Sequence, residues 1–151
     1  MMDMSAETPR NEPVRLADYR PTPYAIRTVD LDFRLDPEAT EVTADLRIER
    51  RPGTEPGAPM VLDGDELDLV AIEVDGARLR PDDFGASPSQ LTVLVPPAGP
   101  FTLRIVTRIA PVRNTKLMGL YRTSGNYCTQ CEAEGFRRIT YFLDRPDVLA
   151  V

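Results

Sequence analysis

Two polar side chains near the carboxyl end of the sequence, Gln130 and Glu132, have the types and spacing to bind a cation together. In an extended backbone, residues i and i+2 point to the same side, with their Cα atoms roughly 6.5 Å apart. An amide oxygen and a carboxylate placed in this way suit a small ammonium group, because a charge-assisted hydrogen bond is about twice as strong as a neutral one. The same spacing is also common on solvated strands, so spacing alone leaves both interpretations open.

Cys128 and Cys131 form a C-x-x-C motif around the same position. A redox role requires the pair to begin a helix and to have a lowered thiol pKa, whereas the surroundings predict strands and the acidic Glu132 and Glu134 would raise a thiol pKa. Two cysteines without histidine supply only half of a zinc site, which leaves a site shared between two chains as an alternative. We expect two reduced thiols that support the loop.

The complete absence of histidine limits the chemistry that the chain can perform. Without histidine there is no histidine general base, no Ser-His pair and no imidazole ligand for zinc. The sequence therefore predicts that the chain does not itself contain the proton-transfer centre of a conventional hydrolase.

Charge and hydrophobicity exclude further classes of function. The net charge of −6 disfavours nucleic acid as a partner. No run approaches 18 apolar residues, so we expect no membrane span and no membrane partner. The first ten residues lack the basic start and apolar core of a secretory signal, which favours a cytoplasmic protein.

Hydrophobic periodicity divides the chain into a leader and a β domain. Residues 1–20 are polar and aperiodic, so we expect a flexible leader, followed by one domain over residues 21–151. Alternation of apolar and polar residues over 29–35, and again over 42–48, predicts an antiparallel hairpin with one solvated face. The apolar residues of its first strand are Val29, Leu31, Phe33 and Leu35.

Further short apolar runs predict more strands. They lie at residues 60–62, 67–74, 77–79, 91–95 and 101–109. A change of phase within 67–74 indicates a bulge, and Asp75-Gly76 is a strong hairpin signal. About seven short strands separated by turns predict an all-β fold, an antiparallel sandwich or a pair of saddle-shaped sheets. Residues 135–143 are predicted to form one short helix before Pro146.

Three runs near the carboxyl end resemble one protein family. G-L-Y-R-T-S-G-N-Y at 119–127, T-Q-C-E-A-E-G-F-R-R at 129–138 and Y-F-L-D-R-P-D-V at 141–148 are similar to aminopeptidase N, specifically to the bacterial alanyl aminopeptidases of the zinc-dependent gluzincin class. The resemblance begins weakly near residue 19 and is close over 117–148. It implies an amino-terminal β domain in which Gln130 and Glu132 hold the free α-amino group of a peptide substrate. By spacing alone, Glu134 is an equal candidate for the role of Glu132.

The resemblance also implies what lies outside this sequence. The zinc-binding H-E-x-x-H and the G-x-M-E-N exopeptidase motif of the family belong to a later domain, and neither is present here. We therefore expect zinc only in a full-length enzyme, and a chain that alone binds no zinc and cleaves nothing. Its expected partners are the amino terminus of a peptide and its own missing catalytic domain. Residues 148–151 have strand composition without a closing turn, which suggests a domain cut before its end.

Several side chains near the motif have structural roles as alternatives to functional ones. Arg137 and Arg138 could cover the surface or pair with Asp144 and Glu134, whereas the resemblance implies that both arginines support the Q-x-E loop from behind.

Tyr121 and Tyr127 are expected as core or rim aromatics more than as substrate contacts.

The alternative function is a non-catalytic binding or scaffold module built on the same β domain. An epoxide hydrolase branch of the superfamily fits less well, because the residues that match most closely are those of the bacterial alanyl type.

Overall fold

The computed structural model describes residues 15–151, which form an all-β fold with short 3-10 turns. Most of the predicted leader, residues 1–14, lies outside the described residues. In its described part, Leu16–Asp18 forms one 3-10 turn. The hydroxyl of Tyr19 donates a hydrogen bond of 2.8 Å to the carboxylate of Asp147, which connects this segment to the other end of the chain.

The strands of the described residues form three sheets, in which every neighbouring pair is antiparallel. In chain order they are β1 (Tyr24–Arg34), β2 (Thr40–Arg50), β3 (Met60–Asp63), β4 (Asp68–Val74), β5 (Ala77–Arg78), β6 (Phe84–Ser87), β7 (Gln90–Val93), β8 (Phe101–Ile109), β9 (Gly119–Thr123) and β10 (Asn126–Gln130). The five-stranded sheet has the order β1-β2-β8-β4-β5, the three-stranded sheet has the order β3-β7-β6, and β9 pairs only with β10. The predicted all-β antiparallel class is confirmed.

The predicted hairpin of β1 and β2 is present, with one strand more regular than the other. β2 alternates strictly, because its inward side chains are buried and the residues between them face solvent or lie half-buried. In β1 the register shifts between Ile26 and Thr28, so the inward phase changes from Ile26 to Val29. Leu35 lies beyond the end of β1 and is 54% exposed, so the strand ends one residue earlier than its alternation predicted.

The predicted bulge in β4 and the predicted hairpin turn after it are both confirmed. The register of β4 against β8 shifts between Leu69 and Ala71, at the predicted bulge. Asp75 and Gly76 both have positive φ, of 49° and 79°, and connect β4 to β5 as a tight hairpin. This is the backbone geometry that an Asp-Gly turn favours.

One hydrophobic core joins the two larger sheets, as a sandwich requires. Its residues come from the inward faces of both sheets and from the segment that follows β10. The fully buried members include Ile26, Val42, Leu46, Ile48, Met60, Leu62, Ile72, Leu91, Leu103, Ile105 and Tyr141.

The helix predicted over residues 135–143 is wrong beyond its first turn. Only Phe136–Arg138 is helical, as a single 3-10 turn. Asp63 and Phe142 exchange backbone hydrogen bonds of 2.8 Å and 3.0 Å, so the later part of the segment is extended against the end of β3. Those bonds take the place of the intrahelical bonds that a longer helix would need. Across residues 15–151, no helix combines the length and hydrophobicity needed to cross a bilayer.

Candidate functional site

The hairpin of β9 and β10 carries Gln130 at its end. The two strands pair in register from Thr123 opposite Asn126 to Gly119 opposite Gln130. β10 ends at Gln130, and the backbone then turns through residues 132–135. The assumption of an extended backbone from Gln130 through Glu132 is therefore wrong, because only the first of the two residues belongs to the strand.

A hydrogen bond within the motif explains why the strand ends there. The side-chain oxygen of Gln130 accepts a hydrogen bond of 3.0 Å from the backbone N–H of Glu132. In Asn and Asp, a side-chain oxygen that binds the backbone two residues later mimics a backbone turn, and Gln130 makes the corresponding contact with a side chain longer by one methylene group. The contact keeps Gln130 and Glu132 together, and an amide oxygen has a second lone pair available for another donor.

The two carboxylates of the turn have different partners. Glu134 lies 3.3 Å from the guanidinium of Arg137. Glu132 is exposed, and no ion pair within residues 15–151 involves it. Glu132 is therefore the turn carboxylate that remains available for a cation, a distinction that spacing in the sequence did not make.

Two glycines allow the turn to pack closely on the hairpin. A Cβ atom at Gly135 would lie 2.5 Å from the backbone oxygen of Gln130 and 2.9 Å from the Cα of Cys131. Gly119 has a φ of 72°, and a Cβ atom there would lie 2.6 Å from the Cβ of Arg138. Both contacts are too short for a larger residue, so glycine at these positions sets the distance between the turn and the hairpin.

Arg137 is held by the buried carboxylate of Asp144. The backbone N–H and the Nε of Arg137 donate to Oδ2 of Asp144 at 3.0 Å and 3.1 Å, and a terminal nitrogen donates to the Asp144 backbone oxygen at 2.9 Å. Burial lowers the pKa of Arg137, but hydrogen bonding to Asp144 and the nearby Asp63 and Glu134 outweigh it, so the pKa is raised overall. Arg137 therefore pairs with both predicted partners.

Arg138 has different partners from those predicted. It is 7% exposed, and its guanidinium donates to Asp65 at 2.7 Å, to Glu66 at 2.8 Å and to the backbone oxygen of Met118 at 3.2 Å. The hydrogen bond from Arg138, followed by one from Lys116, lowers the pKa of Glu66. This cluster ties the segment before β9 to the loop between β3 and β4.

The two cysteines are free thiols and are partly buried. The pKa of Cys131 is raised, first by burial and then by the negative charge of Asp144. The predicted direction is right, but the causes are burial and Asp144 and not the predicted Glu132 and Glu134. A raised pKa is the opposite of what a reactive thiolate needs.

The tyrosines of the hairpin lie at its rim, partly buried. Tyr127 packs against the hydrophobic core, and the guanidinium of Arg122 lies 5.0 Å from its ring centroid. Tyr121 is partly buried on β9, opposite Cys128. Both positions fit the expected role as core or rim aromatics.

The part of the chain that the structure describes does not offer the residues of a zinc site. No three side chains of the types His, Cys, Asp and Glu come together there in an arrangement that could hold a metal ion. These residues therefore do not fit a catalytic zinc, and the chemistry of the candidate site is that of an exposed carboxylate beside an amide.

Sequence comparison identifies relatives over almost the whole chain. The chain is 48% identical over 147 residues to aminopeptidase N of Caulobacter vibrioides, and 44% identical over 135 residues to aminopeptidase N of Escherichia coli. The resemblance to the aminopeptidase N family is confirmed. These matches cover 97% and 88% of this chain but only 16% and 15% of the relatives, so the chain spans about a sixth of their length. No protein-family model matches the chain.

Solved structures of two peptidases contain the same fold. The crystal structure of Legionella pneumophila aminopeptidase A in complex with aspartic acid matches 91% of this chain with a TM-score of 0.80 and 31% identity, over 16% of that protein. An M1 zinc metallopeptidase from Deinococcus radiodurans matches 85% of this chain with a TM-score of 0.68 at 20% identity, over 31% of that protein. The second likeness shows the fold alone.

Proposed function

We propose that this chain is the amino-terminal β domain of a zinc aminopeptidase, and that the turn at Gln130 and Glu132 binds the free α-amino group of the peptide substrate. The observation that supports this role is the exposed carboxylate of Glu132, which has no ion-pair partner within residues 15–151 and is joined to Gln130 through its own backbone N–H. The identity of 48% with an aminopeptidase N over nearly the whole chain supports the class of enzyme.

The chemistry of the two side chains suits an ammonium group. Glu132 would accept a charge-assisted hydrogen bond from the substrate, which is stronger than a bond between neutral groups. The oxygen of Gln130 would accept a second hydrogen bond through its free lone pair. In such an enzyme, zinc held by residues outside this chain would supply the activated water and polarise the scissile carbonyl.

Binding of the ammonium group would also restrict cleavage to the first residue. A peptide that extended past this point would place a neutral amide against the carboxylate of Glu132, without the charge that the site selects. The position of the turn would then determine which peptide bond reaches the metal. The Legionella pneumophila aminopeptidase A that shares this fold was solved in complex with aspartic acid, a free amino acid with an α-amino group.

Replacement of the carboxylate in the longer enzyme tests the proposal. Losing one partner of a charge pair that substrate binding buries costs about 2–5 kcal/mol, so we expect Glu132→Gln to lower kcat/KM on alanine p-nitroanilide by tens to thousands of fold. Steady-state kinetics measures the change. The matched control is Glu55→Gln, which alters another exposed glutamate on a different loop and should leave kcat/KM unchanged. Wild-type efficiency of Glu132→Gln would reject the assigned role.

A further inference from the structure

A buried carboxylate, Asp144, lies behind the candidate site and takes no part in the proposed binding of substrate. Asp144 is 8% exposed, which is unusual for an aspartate unless its charge is paired. Its Oδ2 accepts hydrogen bonds from the backbone N–H and the Nε of Arg137, and its backbone oxygen accepts a third from the same side chain. Arg137 is therefore fixed in position at both its backbone and its guanidinium.

The fixed guanidinium of Arg137 reaches back to the turn that contains Glu132. Its terminal nitrogen lies 3.3 Å from Oε2 of Glu134, inside the turn. The opposite end of the turn is held by the bond from the N–H of Glu132 to Gln130, and the N–H of Gly135 donates to the backbone oxygen of Cys131 at 2.8 Å. The turn is thus held at one end by the strand and at the other by Arg137.

The same contact distinguishes between the two carboxylates of the turn. Arg137 offsets the charge of Glu134, while Glu132 has no ion-pair partner in the described part of the chain. If Arg137 were displaced, Glu134 would become a second acceptor for an ammonium group, two residues from Glu132. Competition between two acceptors would place the substrate in more than one position.

We propose that Asp144 is a positioning residue, which holds Arg137 so that the turn is fixed and Glu132 is the one carboxylate of the turn that accepts the substrate ammonium. This inference rests on the proposed function, because it gives Asp144 an effect that passes through Glu132. A purely structural role would instead lower stability without any dependence on Glu132.

A double-mutant cycle in the longer enzyme separates these roles. We expect Asp144→Asn, which removes the charge at nearly constant size, to lower kcat/KM by roughly tenfold. In the Glu132→Gln background the same substitution should have almost no further effect, because residues that act as a unit are not additive. Multiplicative losses in the double variant would overturn the inference.

A second variant keeps the test decisive if Asp144→Asn fails to fold. Arg137→Lys keeps the positive charge but loses the fork that contacts Asp144 and Glu134 together, so we expect the same roughly tenfold loss and the same dependence on Glu132. The matched control is Arg104→Lys, which removes a comparable fork to Asp45 on the five-stranded sheet and should leave kcat/KM unchanged.

The outcomes also distinguish this inference from the proposed function. A large effect of Glu132→Gln with no effect of either Asp144→Asn or Arg137→Lys would overturn the positioning role and leave the ammonium site intact. No effect of Glu132→Gln would overturn the ammonium site, and the positioning role with it.

Discussion

At the scale of single residues, the candidate site depends on the absence of a side chain at Gly135. A methyl group at this position would meet two backbone atoms, at 2.5 Å and 2.9 Å, and backbone cannot move aside as a flexible side chain can. We therefore expect Gly135→Ala to lower the free energy of unfolding by about 1–3 kcal/mol, the usual cost of overpacking. Urea denaturation of the chain, followed by circular dichroism, measures this difference.

The control for that substitution is Gly85→Ala in β6. A Cβ atom at Gly85 would meet no other atom within 4 Å, so alanine should be neutral or slightly stabilising there. Equal stability of the two variants would show that the backbone at Gln130 yields, and that the turn is not packed as tightly as these distances indicate.

The motif itself illustrates how far single residues could be predicted. Residue types and resemblance pointed to Gln130 and Glu132, but not to the conformation that joins them. That conformation depends on the side-chain oxygen of Gln130 binding the next turn and on the close contact at Gly135. Neither has a periodic signal, so the alternation of apolar and polar residues could not predict where β10 ends.

At the scale of secondary-structure elements, periodicity predicted seven of the ten strands, missed β6, β9 and β10, and predicted the last segment poorly. The alternation in β2, the bulge in β4 and the turn at Asp75 are local properties of the sequence, and all three are present. Residues 135–143 depend instead on backbone pairing with Asp63, about 80 positions earlier in the chain. A contact at that separation overrides local propensity, which explains why the predicted helix is only one turn long.

The ion pairs of Arg138 with Asp65 and Glu66 join the segment after β10 to the loop between β3 and β4. Their contribution to the stability of the folded state should depend on pH. Hydrogen bonds from Arg138 and Lys116 lower the pKa of Glu66 below its ordinary value of 4.5. A carboxyl group with a lowered pKa stabilises the folded state at pH values above its ordinary pKa. That contribution is lost as the pH falls through the pKa that the group has in the folded state. We expect the loss of unfolding free energy between pH 6 and pH 3.5 to be smaller in Glu66→Gln than in the wild type.

Urea denaturation at the two pH values measures that difference. Glu66 is largely exposed, so solvent screens its ion pairs and the effect should be small. Glu55→Gln serves as the control and should lose as much stability as the wild type. An identical pH dependence of all three proteins would show that the cluster does not contribute to folding.

At the scale of the whole molecule, the fold class was predictable and the order of the strands was not. Short alternating runs with frequent turns are typical of an antiparallel sandwich, and that class is confirmed. The order β1-β2-β8-β4-β5 places β8 between strands that precede it in the sequence. Such pairing depends on how the two larger sheets close over a shared core, and a single sequence carries little information about it.

The composition of the whole chain leads to a final expectation about the chain on its own. Zinc in proteins is bound mainly by histidine and cysteine, and this sequence has no histidine and only two cysteines. Within residues 15–151, no three potential ligands are grouped to hold a metal ion. We therefore expect the purified chain to retain no zinc after equilibrium dialysis and to release no p-nitroaniline from alanine p-nitroanilide.

The longer enzyme, assayed in parallel, should retain zinc and release p-nitroaniline, because its metal ligands would lie outside these residues. We expect this domain to position the substrate and residues outside it to supply the catalysis. That division of roles would be contradicted if the purified chain bound stoichiometric zinc or showed hydrolysis that a chelator abolishes.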